Sequence, residues 1–181
     1  HPIHVRDRWG STPLDEARRE GQETVAEILL AAEKAFHTLT LPAEHEAIAK
    51  AASFVKRFAM AHGIDPLVPY RVNAVLEDVL LNLIEIGGDG EIENPLQLEL
   101  DVVEDALQIS VSHEGAEFNP LADAEKPDAD PDDTHMREVS RKLIHGLSDE
   151  ASYQRVDGRN MLQLTFGLNS EPFAEIRQLS A

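Results

Sequence analysis

Two adjacent runs within residues 96–112, LQLELDVVEDALQISVS, decide the fold of this chain. In each run apolar and polar residues alternate with a period of two, and Glu104-Asp105 between them marks a turn. The apolar positions are Leu96, Leu98, Leu100, Val102, Leu107, Ile109 and Val111. Such alternation is typical of antiparallel strands that bury one face and expose the other to water.

Helical patterns flank this pair of strands. Apolar residues recur at helical spacing before it, first at Ile48, Ala52, Val55, Phe58 and Ala59, and after Asp65-Pro66 at Val72, Val75, Leu76, Val79, Leu80 and Leu83. A short strand is predicted at 37–41, a helix around 136–147, and strands near 151–156 and 160–167. The segment 156–159 that joins those strands is interpreted as a hairpin turn. This order predicts an α+β two-layer sandwich, a mostly antiparallel sheet with helices on one face.

Residues 1–34 are predicted to form a separate helical hairpin. Thr12 can cap a helix that has Pro13 at its first position, and Gly21 can end that helix in a left-handed conformation. A second helix follows with Val25 and Ile28 on one side. The stretch resembles an ankyrin repeat, with residues at the repeat's register at Asp7, Gly10, Thr12-Pro13-Leu14, Ala17, Gly21 and Leu29-Leu30. Since repeats need neighbours, either further repeats precede residue 1, which is the favoured expectation, or this unit packs on the domain that follows.

Composition limits the classes of partner. The 181 residues carry a formal net charge of −18 and contain no cysteine. An acidic surface repels phosphate backbones and anionic lipids, which argues against nucleic acid and membrane partners. It favours a partner with a basic protein surface. The alternative is that the acidity serves only solubility. The lack of cysteine excludes disulfides and fits a cytoplasmic location. The second domain is predicted at 36–168, with an acidic, proline-rich loop at 119–134 and a tail at 169–181.

Three stretches of the second domain resemble a known family. They are VLEDVLLNLIEIGG at 75–88, ALQISVSHEGAEFNP at 106–120 and SDEASYQRVDGRNMLQLTF at 148–166. With the order of elements, they are similar to the GHKL (Bergerat-type) ATPase-like domain of the anti-sigma-factor Ser/Thr kinases. The resemblance implies binding of ATP with Mg²⁺, homodimers, and two protein partners, a sigma factor that is sequestered and a STAS-domain antagonist that is phosphorylated.

The first family element places a carboxylate four residues before an asparagine on one helix face. Asp78 and Asn82 occupy these positions, with Glu77 adjacent. The resemblance implies that Asp78 would act as the catalytic base and that Asn82 would hold Mg²⁺. Asp78 is one methylene shorter than the glutamate of the family. Asn82 is open to a second interpretation, as a helix residue whose amide is satisfied by its neighbours.

The second element is an Asp-x-Gly stretch whose aspartate accepts a proton from the adenine amino group. Aligned on Gly115, this chain has His113 in the place of that aspartate, and Glu117 where many relatives have another glycine. A neutral imidazole accepts one hydrogen bond but lacks the charge and second acceptor of a carboxylate. His113 and Gly115 are therefore predicted to line a vestigial ATP pocket. Glu114 is expected to point to the opposite side of the strand.

The third element is a glycine-rich turn that wraps the triphosphate and leads into a helix. The corresponding stretch here is residues 137–140, Arg-Glu-Val-Ser, which contains no glycine. Asp128, Asp130, Asp132 and Asp133 precede it. Side chains and negative charge at this point oppose the close approach of a polyphosphate, so no cofactor is expected.

Three functional hypotheses follow. The leading one is a regulatory protein-binding module, related to the anti-sigma-factor kinases, that has lost or impaired ATP binding. The second is a nucleotide-dependent Ser/Thr kinase that acts on a STAS-domain antagonist with Asp78 as base and Asn82 on Mg²⁺. The third is a regulatory segment of a larger enzyme or channel, because the chain begins HPIHV without an initiator methionine.

Overall fold

A computed structural model describes residues 7–88, 95–122 and 131–168. Their backbone divides the chain into two compact units, His1–Leu39 and Thr40–Ala181. No helix in these ranges has the length and apolar character needed to cross a bilayer.

The first unit contains two helices that pack against each other, α1 (Pro13–Arg19) and α2 (Glu23–His37). As the sequence predicts, Thr12 caps α1: its hydroxyl accepts from the Asp15 N–H at 3.2 Å, and the Asp15 carboxylate accepts from the Thr12 N–H at 2.9 Å. Gly21 follows with a φ of +65°, a conformation that favours glycine. The helix α2 continues to His37, so the prediction that His37 begins a strand is wrong.

A short strand, β1 (Thr38–Leu41), spans the point in the chain where the two units divide, and two long helices follow it in the second unit. They are α3 (Glu46–His62) and α4 (Leu67–Gly88). Gly63, with a φ of +64°, ends α3, and the Asp65 side chain accepts from the Leu67 N–H at 2.8 Å where α4 begins. The apolar stripe predicted for α4 is buried along its length.

The remaining elements are β2 (Leu96–Val103), β3 (Ala106–Glu114), α5 (Pro131–Leu147), β4 (Glu150–Val156) and β5 (Arg159–Gly167). Within the described ranges they complete a five-stranded sheet of order β1-β2-β3-β5-β4. The pairs β2–β3, β3–β5 and β5–β4 are antiparallel. The fold is therefore α+β, as the alternation in 96–112 predicts.

The core lies between one face of the sheet and the helices. The strand registers align Leu98 with Val111 and then Leu162, and Leu100 with Ile109 and then Leu164, so that these rows share one face. All of them are buried, and α3, α4 and α5 contact β2, β5 and β4. The opposite face carries exposed polar residues such as Glu99, Gln108 and Gln163.

The segment predicted as a loop at 119–134 requires correction. Residues 131–134 form the first turn of α5, which begins at Pro131 rather than near residue 136. Proline fits the first helical position because its missing N–H would have no partner inside the helix. Residues 123–130, which include Asp128 and Asp130 of the predicted acidic run, lie outside the described ranges.

Candidate functional site

Asp78 and Asn82 lie one turn apart on α4 and meet a third polar residue, Ser140, which α5 supplies. The Ser140 hydroxyl donates to Asp78 Oδ1 at 3.0 Å. The Asn82 amide nitrogen donates to Ser140 Oγ at 3.2 Å and to the Asp78 carbonyl at 2.8 Å. Ser140 is buried, and Asp78 and Asn82 are half-buried. The three side chains thus form a hydrogen-bonded cluster across the α4–α5 contact.

Burial changes the acidity of this cluster. Desolvation raises the pKa of the Asp78 carboxyl above its ordinary value, and the hydrogen bond from Ser140 partly opposes that rise. A raised pKa is a property that catalytic bases share with structurally buried carboxyl groups. The neighbouring Glu77 is exposed and does not belong to the cluster.

A second polar contact joins the same two helices, between Arg71 near the start of α4 and Leu147 at the end of α5. The Arg71 guanidinium donates to the Leu147 carbonyl at 2.9 Å and contacts Asp149 at 3.2 Å. The Asp149 carboxylate also accepts from the Gly167 N–H at 2.7 Å. Since Arg71 meets Leu147 while Asp78 meets Ser140, α5 runs antiparallel to α4.

The stretch predicted to replace the glycine-rich turn, residues 137–140, lies more than one turn inside α5. Its peptide N–H groups therefore point along the helix towards the carbonyl groups four residues earlier. Val139 is 47% exposed, whereas Ser140 faces α4. This backbone offers no free run of N–H groups of the kind that binds phosphate, because only the first turn of a helix leaves such donors unpaired.

His113, which is predicted to line the pocket, is buried near the end of β3. Its Nδ1 is 3.2 Å from the Glu114 carbonyl and 3.4 Å from Asn160 Nδ2, so the tautomer decides which of the two bonds forms. Burial is the main cause that lowers the pKa of His113, which keeps the ring neutral. Glu114 is exposed, consistent with the expected alternation along the strand.

Asn160, opposite His113 on β5, is the hub of a network that sequence reasoning missed. Its Oδ1 accepts from the Tyr153 hydroxyl at 2.6 Å, from the Arg155 guanidinium at 2.8 Å and from the Phe118 N–H at 3.3 Å. Its Nδ2 donates to the Ala116 carbonyl at 2.9 Å. The residue is only 1% exposed. The expected turn consists of Asp157 and Gly158, whereas Asn160 belongs to β5 and its buried side chain holds the segment after β3.

Gly115 takes part in that attachment through its backbone. Its φ of +119° lies in the region that favours glycine, and its carbonyl accepts from Arg155 at 2.8 Å. The segment from Gly115 to Phe118 is therefore bonded to the β4–β5 hairpin at three backbone groups. Arg155 and Tyr153 carried no signal in the sequence, since alternation places them on a strand without indicating their partners.

A small pocket lies between α4 and the sheet. It has about 220 Å³ of empty space, part of it open to solvent, whereas small-molecule pockets usually span about 300–1,000 Å³. The lining consists of Val79, Leu83, Val111, His113, Phe118, Pro120, Tyr153, Asn160 and Leu162. The polar members His113, Tyr153 and Asn160 bond to each other or to backbone groups.

The geometry thus unites some predicted site residues and separates others. Asp78 and Asn82 belong to the Ser140 cluster, while His113 belongs to the pocket and Gly115 to the segment that borders it. No residue of this lining carries a carboxylate, so the side-chain acceptors that an adenine amino group would meet there are those of His113, Tyr153 and Asn160.

An α+β domain with this helix pair, sheet order and pocket belongs to the class of GHKL-like ATPase folds. A family model for the histidine kinase-like ATPase domain matches residues 41–166, more than half of the chain. The chain therefore belongs to the histidine kinase-like ATPase domain family. Among curated proteins, none matches the sequence.

Solved structures with a similar fold come from several bacteria. The RsbU and RsbW domains of a Mycobacterium tuberculosis protein align with a TM-score of 0.48 at 14% identity, over 72% of this chain and 31% of that one. The SiaB–SiaC complex of Pseudomonas aeruginosa aligns with a TM-score of 0.46 at 17% identity, over 76% and 96%. The Acinetobacter baumannii histidine kinase AdeS aligns at 0.41 and 12% identity, over 88% and 87%. The chain spans about a third of the Mycobacterium tuberculosis structure.

Proposed function

We propose that this chain is a regulatory, protein-binding member of the histidine kinase-like ATPase family, related to the anti-sigma-factor kinases, in which nucleotide binding is lost. The observation that carries the proposal is the Asp78–Asn82–Ser140 cluster. The carboxylate and amide that the family directs at nucleotide and Mg²⁺ here bond to a serine of α5. The helix that supplies this serine lies where the resemblance places a phosphate-binding turn.

The pocket supports the same proposal. ATP and Mg²⁺ fit these residues poorly, because the pocket has only about 220 Å³ of empty space even with its solvent-open part included, and the base-reading position carries His113. Opening the pocket would require moving the segment from Gly115 to Pro120, which Asn160 and Arg155 hold by hydrogen bonds. We therefore derive no chemical step through a nucleotide.

By resemblance, the partner is a sigma factor or a STAS-domain antagonist in the cytoplasm, and the protein forms a homodimer. The net charge of −18 favours a basic surface on the partner. The hairpin of residues 7–37 adds a second protein-binding element of the ankyrin type, supported by the Thr12 cap and by the exposure of Val25 and Ile28 on α2. The exposed apolar pair is what a neighbouring repeat would cover.

The alternative function is a nucleotide-dependent Ser/Thr kinase of the anti-sigma type. One observation favours it: burial raises the pKa of Asp78, which lies beside Asn82 as the family mechanism requires. In this reading Asp78 would accept the proton of the attacking hydroxyl and Asn82 would hold Mg²⁺.

The test is calorimetric titration of the folded chain with Mg-ATP and Mg-ADP. We expect no saturable heat at about 1 mM nucleotide, where a site of micromolar affinity would stabilise the protein by roughly 4 kcal/mol. A thermal melt with and without nucleotide supplies the independent readout. Saturable binding that is abolished by Asn82→Ala, while Glu77→Gln binds like the wild type, would overturn the proposal in favour of the kinase.

A further inference from the structure

The helix α4 carries a second apolar stripe on the side opposite the core. Its inner face is formed by Val72, Val75, Leu76, Val79, Leu80 and Leu83, all buried. On the outer side, Leu67, Tyr70, Ala74 and Leu81 follow one another at intervals of three, four and seven residues. This spacing places the four side chains on one face of a helix, in the pattern of a coiled-coil seam. We call these four residues the outer stripe.

The outer stripe is uncovered. Tyr70 is 76% exposed, Leu67 54% and Leu81 36%, and Ala74 is half-buried. Single exposed apolar residues are ordinary on a protein surface, but these three large ones lie along one face of a single helix, in a row that is interrupted by Glu77. A helix with apolar residues on two opposite faces is expected to have neighbours on both.

The charges along the outer stripe differ from those of α1, α3 and α5. On each of these three helices an exposed acid pairs with a base of the same helix: Glu16 with Arg19, Glu46 with Lys50, and Glu138 with Lys142. The only base on α4 is Arg71, which is buried against Leu147 and Asp149.

The two exposed acids beside the outer stripe are consequently uncompensated. Glu77 lies within the stripe, between Ala74 and Leu81, and Glu85 lies one turn beyond Leu81. Neither of them has an ion pair within residues 7–88, 95–122 and 131–168. The complement of this face is a surface that is apolar along its centre and cationic at its border.

We propose that the outer stripe of α4 binds a basic amphipathic helix of a partner protein. This inference rests on the proposed protein-binding function and assigns it a surface and a partner chemistry. The partner presents apolar residues at the same heptad spacing, with Lys or Arg opposite Glu77 and Glu85. From Leu67 to Leu81 the stripe spans about 21 Å, at 1.5 Å per residue, so about four turns of the partner helix make contact.

The probe is a synthetic helical peptide with leucine at heptad a and d positions and lysine at e and g. Two control peptides separate the contributions to binding: one has glutamate at e and g, and the other keeps the lysines but scrambles the leucine spacing. Binding to the whole chain is measured by fluorescence anisotropy at two ionic strengths. We expect the lysine heptad peptide to bind at least tenfold more tightly than either control.

Variants then locate the binding site. Leu67→Ser with Leu81→Ser is expected to weaken binding at least tenfold, while Val103→Ser, an exposed apolar residue on β2, leaves it unchanged. Glu77→Lys with Glu85→Lys is expected to reverse the preference in favour of the glutamate peptide. All substituted side chains are exposed, and circular dichroism verifies the fold of each variant. Equal binding of the scrambled peptide, or no loss in the leucine variant, overturns the proposal.

The outcome is separable from that of the nucleotide titration. If neither the peptide nor nucleotide binds, the assignment of the outer stripe as a binding surface is wrong, and the proposed loss of nucleotide binding stands. If nucleotide binds and the peptide binds the stripe, the surface stands and the loss of nucleotide binding is wrong.

Discussion

Asn160 shows how one uncharged side chain can hold a backbone segment in place. It uses both its acceptor and its donor on groups of β4 and of the segment after β3. Buried polar groups that lose such a partner cost about 1–3 kcal/mol each. The residue therefore contributes to stability through the groups that it satisfies, rather than through its own burial.

Replacing Asn160 tests this role. We expect Asn160→Ala to lower the free energy of unfolding by about 3 kcal/mol, because the Ala116 carbonyl and the Phe118 N–H lose their partner. Tyr153→Phe removes only the bond from the hydroxyl and should cost about 1 kcal/mol. Urea unfolding monitored by circular dichroism measures both. An equal effect of the two substitutions would contradict the role of Asn160 as hub.

Asp78 gives a prediction about pH. Folding raises the pKa of the Asp78 carboxyl above 3.8, so the folded chain binds this proton more tightly than the unfolded chain does. The contribution of Asp78 to the free energy of unfolding therefore falls as the pH rises above 3.8. Asp78→Asn removes this titration while leaving an oxygen to accept from Ser140. We therefore expect the variant to gain stability, relative to wild type, between pH 4 and pH 7.

Urea unfolding at the two pH values makes the comparison, with the exposed Glu77→Gln as control. If Asp78→Asn is destabilised by the same amount at both pH values, burial of the carboxylate has no energetic consequence and the prediction is wrong.

At the scale of elements, two glycines differ in whether their backbone conformation requires glycine: Gly158 in the β4–β5 turn does, and Gly146 in α5 does not. Asp157 and Gly158 both have positive φ, +51° and +80°, as a two-residue hairpin with the right-handed twist of its strands demands. Gly146 lies within α5 at an ordinary helical conformation, and a Cβ built there meets nothing within 4 Å.

The two glycines therefore predict opposite effects of the same substitution. Gly158→Ala should destabilise the chain by roughly 1–2 kcal/mol, because alanine is strained at positive φ. Gly146→Ala should stabilise it by about 0.5–1 kcal/mol, since alanine loses less backbone entropy in a helix. Thermal unfolding of the two variants side by side is the measurement, and a shift of both in the same direction would contradict the backbone assignment.

The sequence was most informative about the positions of the helices and strands. The period-two runs around Glu104-Asp105 and the stripe on α4 correspond to β2, β3 and α4. The start of α5 at Pro131 was missed because an acidic, proline-rich run has the composition of a loop. Asp78 and Asn82 could be placed together by helical spacing. Their partner Ser140 could not, because local periodicity carries no information on contacts between residues some 60 positions apart.

For the molecule as a whole, the net charge of −18 is large for 181 residues. Like charges repel more strongly in the compact state than in the unfolded chain, and salt screens that repulsion. Raising NaCl from about 10 mM to about 150 mM shortens the Debye length from about 30 Å to about 8 Å.

We therefore expect this change in salt to stabilise the protein at pH 7 by on the order of 1 kcal/mol, or about 2–4 °C in Tm. The same melts near pH 4.7, the isoelectric point, supply the control, because the net charge there is small. A salt effect at pH 4.7 as large as that at pH 7 would mean that general repulsion is not its cause.

The sheet order also has a kinetic consequence. β2–β3 and β4–β5 are hairpins closed by tight turns, and each can pair within its own short stretch of chain. β3–β5 joins them in the middle of the sheet, and pairs Ala106 with Gly167 and Glu114 with Arg159 across the whole of α5. Closing that long loop costs entropy before the pairing is formed. The two hairpins should therefore form first, and their docking, together with α5, should limit the rate of folding.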